Sequence, residues 1–238
     1  MGANVLSLAN DDGELNAVCG VDPYAQSSDV PVYKSFSEVK EKIDVIVDFS
    51  SPAALRSETE WAVKHNVPVI LASTGYTESD IKHIENCAEK IAVFRTGNFS
   101  LGINLLQELV KRAAEVLGEK FDIEIIEKHH NQKVDAPSGT ALMLADSVNR
   151  AYGNGKPEIY GRHGITGKRG NEIAIHAVRG GTIVGEHEVM FAGEDEIITL
   201  SHSARSKRVF AAGALKAAKW IVGKPAGLYD MNDLLKNI

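Results

Sequence analysis

One stretch of the chain gathers protonatable side chains and helix-start residues in a short span: Glu127-Lys128-His129-His130-Asn131-Gln132-Lys133-Val134-Asp135-Ala136-Pro137-Ser138-Gly139-Thr140-Ala141. His129, His130 and Lys133 can give or take a proton, or carry positive charge, close to one another. Pro137, Ser138 and Thr140 are suited to open a helix over Ala141 to Tyr152, whose first backbone N–H groups lack partners and attract a carboxylate. Gly139, with no side chain, lets an anion approach the backbone. Together these residues suit a small carboxylic acid with proton transfer beside it. Taken singly, adjacent histidines and a lone lysine are more often structural or solvated than catalytic, so the argument rests on their co-occurrence. A metal reading of His129 and His130 is disfavoured. Neighbours on a strand point to opposite faces, and no third ligand stands at a suitable spacing.

A second basic cluster, Arg162-His163-Gly164-Ile165-Thr166-Gly167-Lys168-Arg169-Gly170, is equally compatible with a solvated loop and with a lid closing over an anionic substrate. Val184-Gly185-Glu186-His187-Glu188 reads as a strand with its charged residues on a wet face or an interface.

The elements that must position these residues fall into two kinds. The first half alternates short apolar runs with helical segments, the pattern of a parallel sheet covered by helices. Its expected strands are Leu15 to Val21, Asp44 to Phe49, Pro68 to Ala72 and Ile91 to Phe94. Thr77-Glu78-Ser79-Asp80 starts one helix and Ser100 precedes another. From about Phe121 the period becomes two, and strands are expected at Glu172 to Arg179, Thr182 to Phe191 and Glu196 to Ser203. Gly180-Gly181 and Gly193-Glu194-Asp195 are read as hairpin turns between them. Phe210 to Val222 returns to helix, ended by Lys224-Pro225-Ala226-Gly227.

The expected fold class is therefore α/β plus α+β: a Rossmann-like doubly wound parallel sheet, then a domain on a mostly antiparallel sheet. Residues 1–100 and 208–238 would form one domain and 101–207 the other.

The chain has 238 residues, is 44% hydrophobic and carries a formal charge of −6, which supplies a sizeable core and no broad basic field. Nucleic acid and anionic membranes are not expected partners. Two cysteines without paired spacing, and no long apolar run, suggest a soluble protein in the reducing cytoplasm.

The segment Glu127 to Ala141 resembles the signature of the dihydrodipicolinate reductase family: a double histidine, a lysine, then Asp-Ala-Pro-Ser-Gly-Thr. The resemblance extends through Gly97-Asn98-Phe99-Ser100-Leu101-Gly102, Val184-Gly185-Glu186-His187 and Gly227-Leu228-Tyr229-Asp230-Met231, and so covers essentially the whole chain. It implies reduction of a small cyclic dicarboxylate by NADH or NADPH in lysine and diaminopimelate biosynthesis, by a homotetramer. The resemblance, rather than the pattern of elements, implies that 1–100 with 208–238 is the nucleotide-binding domain and 101–207 the substrate-binding and tetramerisation domain. It also implies site residues. His129 would donate or accept a proton and Lys133 would donate one. His130 would contact substrate, and Gly139 and Thr140 would hold a carboxylate. Ala72, Ser73 and Thr74, with Thr96, Gly97, Asn98 and Phe99, would line the cofactor, and Asp22 would meet the adenosine ribose. A carboxylate at Asp22 followed by Pro23, with no guanidinium, favours NADH over NADPH.

Only Met1 and Gly2 correspond to the family's opening strand and Gly-x-x-Gly-x-Met-Gly turn, so roughly 15 residues of that pattern are expected to be missing. A misplaced start and a true truncation both fit. A truncated chain would bind cofactor weakly, which leaves open a catalytically impaired carboxylate-binding or assembly protein.

Overall fold

The structure is a computed structural model that describes residues 1–25 and 28–236. The chain divides into two compact units, Met1–Ser100 with Arg208–Ile238, and Leu101–Lys207.

The first unit begins with helix α1 (Gly2–Asn10), followed by the short strands β1 (Gly20–Val21) and β2 (Val32–Tyr33). Then come β3 (Ile46–Asp48), α2 (Leu55–His65), β4 (Val69–Leu71), α3 (Glu78–Ala88) and β5 (Ala92–Arg95). Strands β3, β4 and β5 pair in parallel, and β4 and β5 are almost wholly buried, as their unbroken apolar runs require. Helix α3 starts on a reciprocal cap, in which the Thr77 hydroxyl accepts from the Asp80 amide and the Asp80 carboxylate accepts from the Thr77 amide. The expected strand from Leu15 shrinks to Gly20 and Val21, because only these two residues pair, in parallel with Val32 and Tyr33.

The last part of the chain completes this unit with α6 (Arg208–Ile221), β11 (Gly227–Tyr229) and α7 (Met231–Leu235), in which β11 adds a parallel edge strand beside β5. Helix α6 packs on the four-stranded sheet and on α1. Its Gly213 meets the turn after β5 so closely that a Cβ there would lie 1.7 Å from the Phe99 carbonyl oxygen.

The second unit contains α4 (Leu101–Leu117), β6 (Asp122–His129), α5 (Gly139–Arg150), β7 (Glu158–Tyr160), β8 (Ile173–Arg179), β9 (Gly185–Ala192) and β10 (Ile197–Ala204). Its sheet runs β10-β9-β6-β8-β7. Pairs β10/β9 and β9/β6 are antiparallel, while β6/β8 and the short β8/β7 are parallel, so the sheet is mixed, with most of its paired positions antiparallel. The hairpin at Gly193–Asp195 joins neighbouring strands; the one expected at Gly180-Gly181 does not. Both edges of β8 already hold parallel partners, so β9 passes to the free side of β6. Helices α4 and α5 cover one face, where Ile103, Leu106 and Val110 meet Ile123, Ile125, Leu144, Val189 and Phe191.

Candidate active site

Strand β6 alternates strictly between its two faces, with Ile123, Ile125, Glu127 and His129 buried under α4 and α5. The last two of those four positions carry an acid and a base instead of aliphatic groups. Glu127 is 0% exposed. Its Oε2 accepts from His129 Nδ1 at 2.6 Å and from Arg179 at 2.7 Å; its Oε1 accepts from Arg179 at 2.7 Å and from the Ser138 amide at 2.9 Å. Burial alone would raise the Glu127 pKa. The hydrogen bonds from Arg179, His129 and the Ser138 amide outweigh it and hold the carboxyl below the usual range, while Glu127 in turn raises the Arg179 pKa.

Arg179 reaches Glu127 because parallel pairing sets it opposite His129 at the end of β8. It also donates to the Asp135 carbonyl at 2.7 Å, which binds the signature loop to the sheet. On the other side of β6, antiparallel register brings His187 opposite Glu127. The His187 and His129 rings meet edge to face, 5.1 Å apart. His187 Nε2 lies 3.0 Å from the Ser138 hydroxyl, which also accepts from the Ala141 amide as the N-cap of α5. Burial, then the neighbouring His129, pushes the His187 pKa down to about 4, so it is a neutral ring at ordinary pH. Its Nδ1 is buried without a hydrogen-bond partner among the described residues. Gly185 makes room for the pair, since a Cβ there would stand 3.1 Å from His129 Nε2.

The other residues singled out in this unit follow from that frame. Ser138, rather than Pro137 or Thr140, caps α5, so Gly139 and Thr140 form its first turn, with Gly139 exposed and Thr140 half-buried. Lys133 is one-fifth exposed, pairs with Asp135 at 2.8 Å and contributes to the depression of His187. His130 follows the end of β6 and is half-buried, and its carbonyl accepts from the Lys133 amide.

Glu127, Arg179 and His187 are not among the site residues expected from the sequence; the alternation of Ile123 and Ile125, carried two residues further, could have marked Glu127 as an inward position, whereas Arg179 and His187 carried no comparable signal, because their roles come from strand pairing. His187 is buried on β9, while its charged neighbours Glu186 and Glu188, expected on a wet face or an interface, point the other way. The glycine-rich cluster is anchored at both ends. Arg162 binds Glu124 and Glu172, and Arg169 binds Asp122 and Glu124, so neither guanidinium is left for a substrate.

In the first unit, the expected cofactor residues stand at the carboxyl ends of parallel strands, where open α/β sheets bind ligands. Ala72, Ser73 and Thr74 follow β4. Buried Asp48, at the end of β3, accepts from the Ser73 hydroxyl at 2.7 Å and through its carbonyl from the Ala72 amide, leaving Thr74 exposed. Thr96, Gly97, Asn98 and Phe99 follow β5; the Asn98 side chain accepts from the Ser100 amide, and Phe99 packs on Phe49 and Phe94. Asp22 follows β1 and is exposed, with one oxygen accepting from the Tyr24 and Ala25 amides. Its other oxygen has no hydrogen-bond partner among the described residues. Of these residues Asp22, Thr74 and Gly97 are exposed, while Ser73, Asn98 and Phe99 are buried, so the exposed carboxylate, hydroxyl and backbone groups are the ones that fit the polar parts of a dinucleotide.

Residues 1–99 match the family model for dihydrodipicolinate reductase, N-terminus, and residues 102–235 match that for its C-terminus. This chain belongs to the dihydrodipicolinate reductase family. A relative from Caldanaerobacter subterraneus subsp. tengcongensis, named 4-hydroxy-tetrahydrodipicolinate reductase, is 53% identical over 99% of this chain and 94% of its own length. A Clostridium novyi relative of the same name is 44% identical over 100% of this chain and 94% of its own. Among solved structures, the dipicolinate-bound dihydrodipicolinate reductase from Paenisporosarcina sp. TG-14 has a TM-score of 0.80 and 26% identity, covering 100% of this chain and 94% of that one.

Proposed function

We propose that this chain reduces 4-hydroxy-tetrahydrodipicolinate to tetrahydrodipicolinate in lysine and diaminopimelate biosynthesis, with a nicotinamide nucleotide as reductant. The observation that carries this reading is the 53% identity, over nearly the full length, to a relative named for that activity. The chemistry of the second unit agrees with it. A substrate carboxylate suits the first turn of α5, where the backbone amides of Gly139 and Thr140 and the helix dipole favour negative charge. The dipicolinate held by the solved relative is a cyclic dicarboxylate of this kind.

When bound, the reduced nicotinamide supplies hydride. Ala72, Ser73, Thr74, Thr96, Gly97, Asn98 and Phe99 would hold that ring, and Asp22 the adenosine ribose. Lys133, as an ammonium, gives a proton from Nζ to the substrate where negative charge develops. His129 holds or gives a proton at Nε2, and His130 helps orient the ring. An acidic Asp22 without a neighbouring guanidinium favours NADH, because a 2′-phosphate would meet like charge.

We further propose a homotetramer built on the sheet face opposite α4 and α5. That face exposes Val178 and Ile197 beside half-buried Ile126 and Met190, as an apolar contact surface would. Free Cys19 and Cys87 suit the cytoplasm, and no helix among the described residues is long and apolar enough to cross a membrane.

The test is substrate-dependent oxidation of NADH and NADPH by the purified chain, beside light scattering for its mass. Turnover with a higher kcat/KM for NADH is expected. No turnover with either nucleotide, in a folded chain, would overturn the reductase reading; equal or better use of NADPH would overturn only the cofactor preference.

A further inference from the structure

We infer that Glu127 and Arg179 are positioning residues that lock His129 in one tautomer, with the proton on Nδ1 and with Nε2 as the nitrogen left for proton exchange. The inference rests on the reading of His129 as a proton-transfer residue and goes beyond it to say what orients the ring.

A proton inventory carries the argument. Glu127 faces two guanidinium donors at 2.7 Å and a backbone amide at 2.9 Å, and a carboxylate so surrounded has acceptors only. The remaining short contact, 2.6 Å to His129 Nδ1, therefore needs its hydrogen on the histidine. The reverse arrangement, a protonated Glu127 donating to Nδ1, would leave the Arg179 charge opposite a neutral acid in a buried site. Nε2 then lies beside Gly185, where an added Cβ would stand 3.1 Å from it.

The ring is confined as well as protonated in one way. Glu127 holds it from its own strand, Arg179 braces Glu127 from β8, and the neutral His187 ring abuts it from β9. Ser138 joins the set from the start of α5, and the Lys133–Asp135 pair lies in the loop between. The same carboxylate and guanidinium also grip the Ser138 amide and the Asp135 carbonyl, on either side of Ala136-Pro137. One buried ion pair thus sets the histidine, the loop after Lys133 and the helix start that suits a carboxylate. A purely stabilising pair has no need of this geometry, since buried ion pairs are often no better for stability than apolar residues of similar size.

The experiment is nitrogen-15 NMR of the histidine rings in the full chain, with steady-state kinetics of Glu127→Gln. The neutral wild-type His129 is expected to show Nδ1–H. A wild-type Nε2–H tautomer would overturn the proposal without any variant. In E127Q, loss of the single tautomer is expected, with kcat lowered about 10²-fold and KM changed less than about threefold. A folded E127Q with unchanged tautomer and kcat would also overturn it. Arg179→Lys, which keeps charge but not the two-pronged grip, should retain more activity than Arg179→Gln; equal losses would count against positioning. Correct wild-type tautomer without turnover would support the positioning and overturn the reductase reading.

Discussion

Strand β6 carries two Arg–Glu–His clusters on opposite faces. On the buried face Glu127 binds Arg179 and His129; on the other face Glu124 binds Arg162, Arg169 and His176. The residue types match and the distances are similar, yet the surroundings differ. Glu127 is fully enclosed and tied to the start of a helix, whereas Glu124 anchors a glycine-rich loop on a face without a covering helix in this unit. Glu124 is held down to about 2 despite partial burial, by Arg162, His176 and Arg169. A short, well-paired carboxylate is thus no mark of an active site. What distinguishes the Glu127 cluster is that its histidine keeps a second nitrogen beside space made by a glycine, next to a helix N-terminus.

The largest contrast should be in catalysis. His129→Gln is expected to lower kcat by about 10²–10⁴-fold, while His176→Gln on the other face changes it less than about threefold; steady-state assays of the two variants check this. Stability should separate the arginines next. Arg179→Gln strands a fully buried carboxylate and is expected to cost about 3–5 kcal/mol, against about 1–2 kcal/mol for Arg162→Gln, whose partner Glu124 retains Arg169 and His176. Urea denaturation midpoints would show it, and equal losses would erase the distinction between the faces.

Gly185→Ala probes the space itself. Its methyl would press on His129 Nε2, so a fall in kcat of about tenfold with a modest loss of stability is expected in assays run beside melting curves. A further effect concerns acid. The folded-state pKa of His187 is below its ordinary value, so the unfolded chain takes up the proton first as pH falls. Stability should therefore drop between about pH 6.5 and 4, by up to about 3 kcal/mol, and His187→Gln should flatten that window of a pH-dependent unfolding curve. Glu124 and Glu127, whose pKa values are depressed, stabilise the fold above about pH 4.5 and lose that contribution only below it.

Much of the site was legible because its signals are local. Strand alternation, carried past Ile125, puts Glu127 and His129 on the face of Ile123 and Ile125, although the expectation from the sequence stops at the strand itself. Proximity in the chain joins His129, Lys133 and the start of α5, and the Thr77–Asp80 cap follows from residue types alone. Arg179 and His187 were not legible as partners, because each meets β6 through pairing across tens of residues. The expected hairpin at Gly180-Gly181 failed for the same reason: glycines permit a turn, but which strand receives the next one depends on which edges are still open.

By itself the sequence determined the local grammar of this protein: strand and helix periods, the caps, the change of period near Phe121, and the signature that joins histidine, lysine and helix start. Those features depend on dihedral preferences and on neighbours a few residues away. Tertiary structure decided the order β10-β9-β6-β8-β7, and with it that Arg179 and His187 flank Glu127 from two sides. That choice belongs to the whole unit, because backbone edges compete for hydrogen bonds over long range and a buried carboxylate is tolerated only where such competition brings it a charge partner.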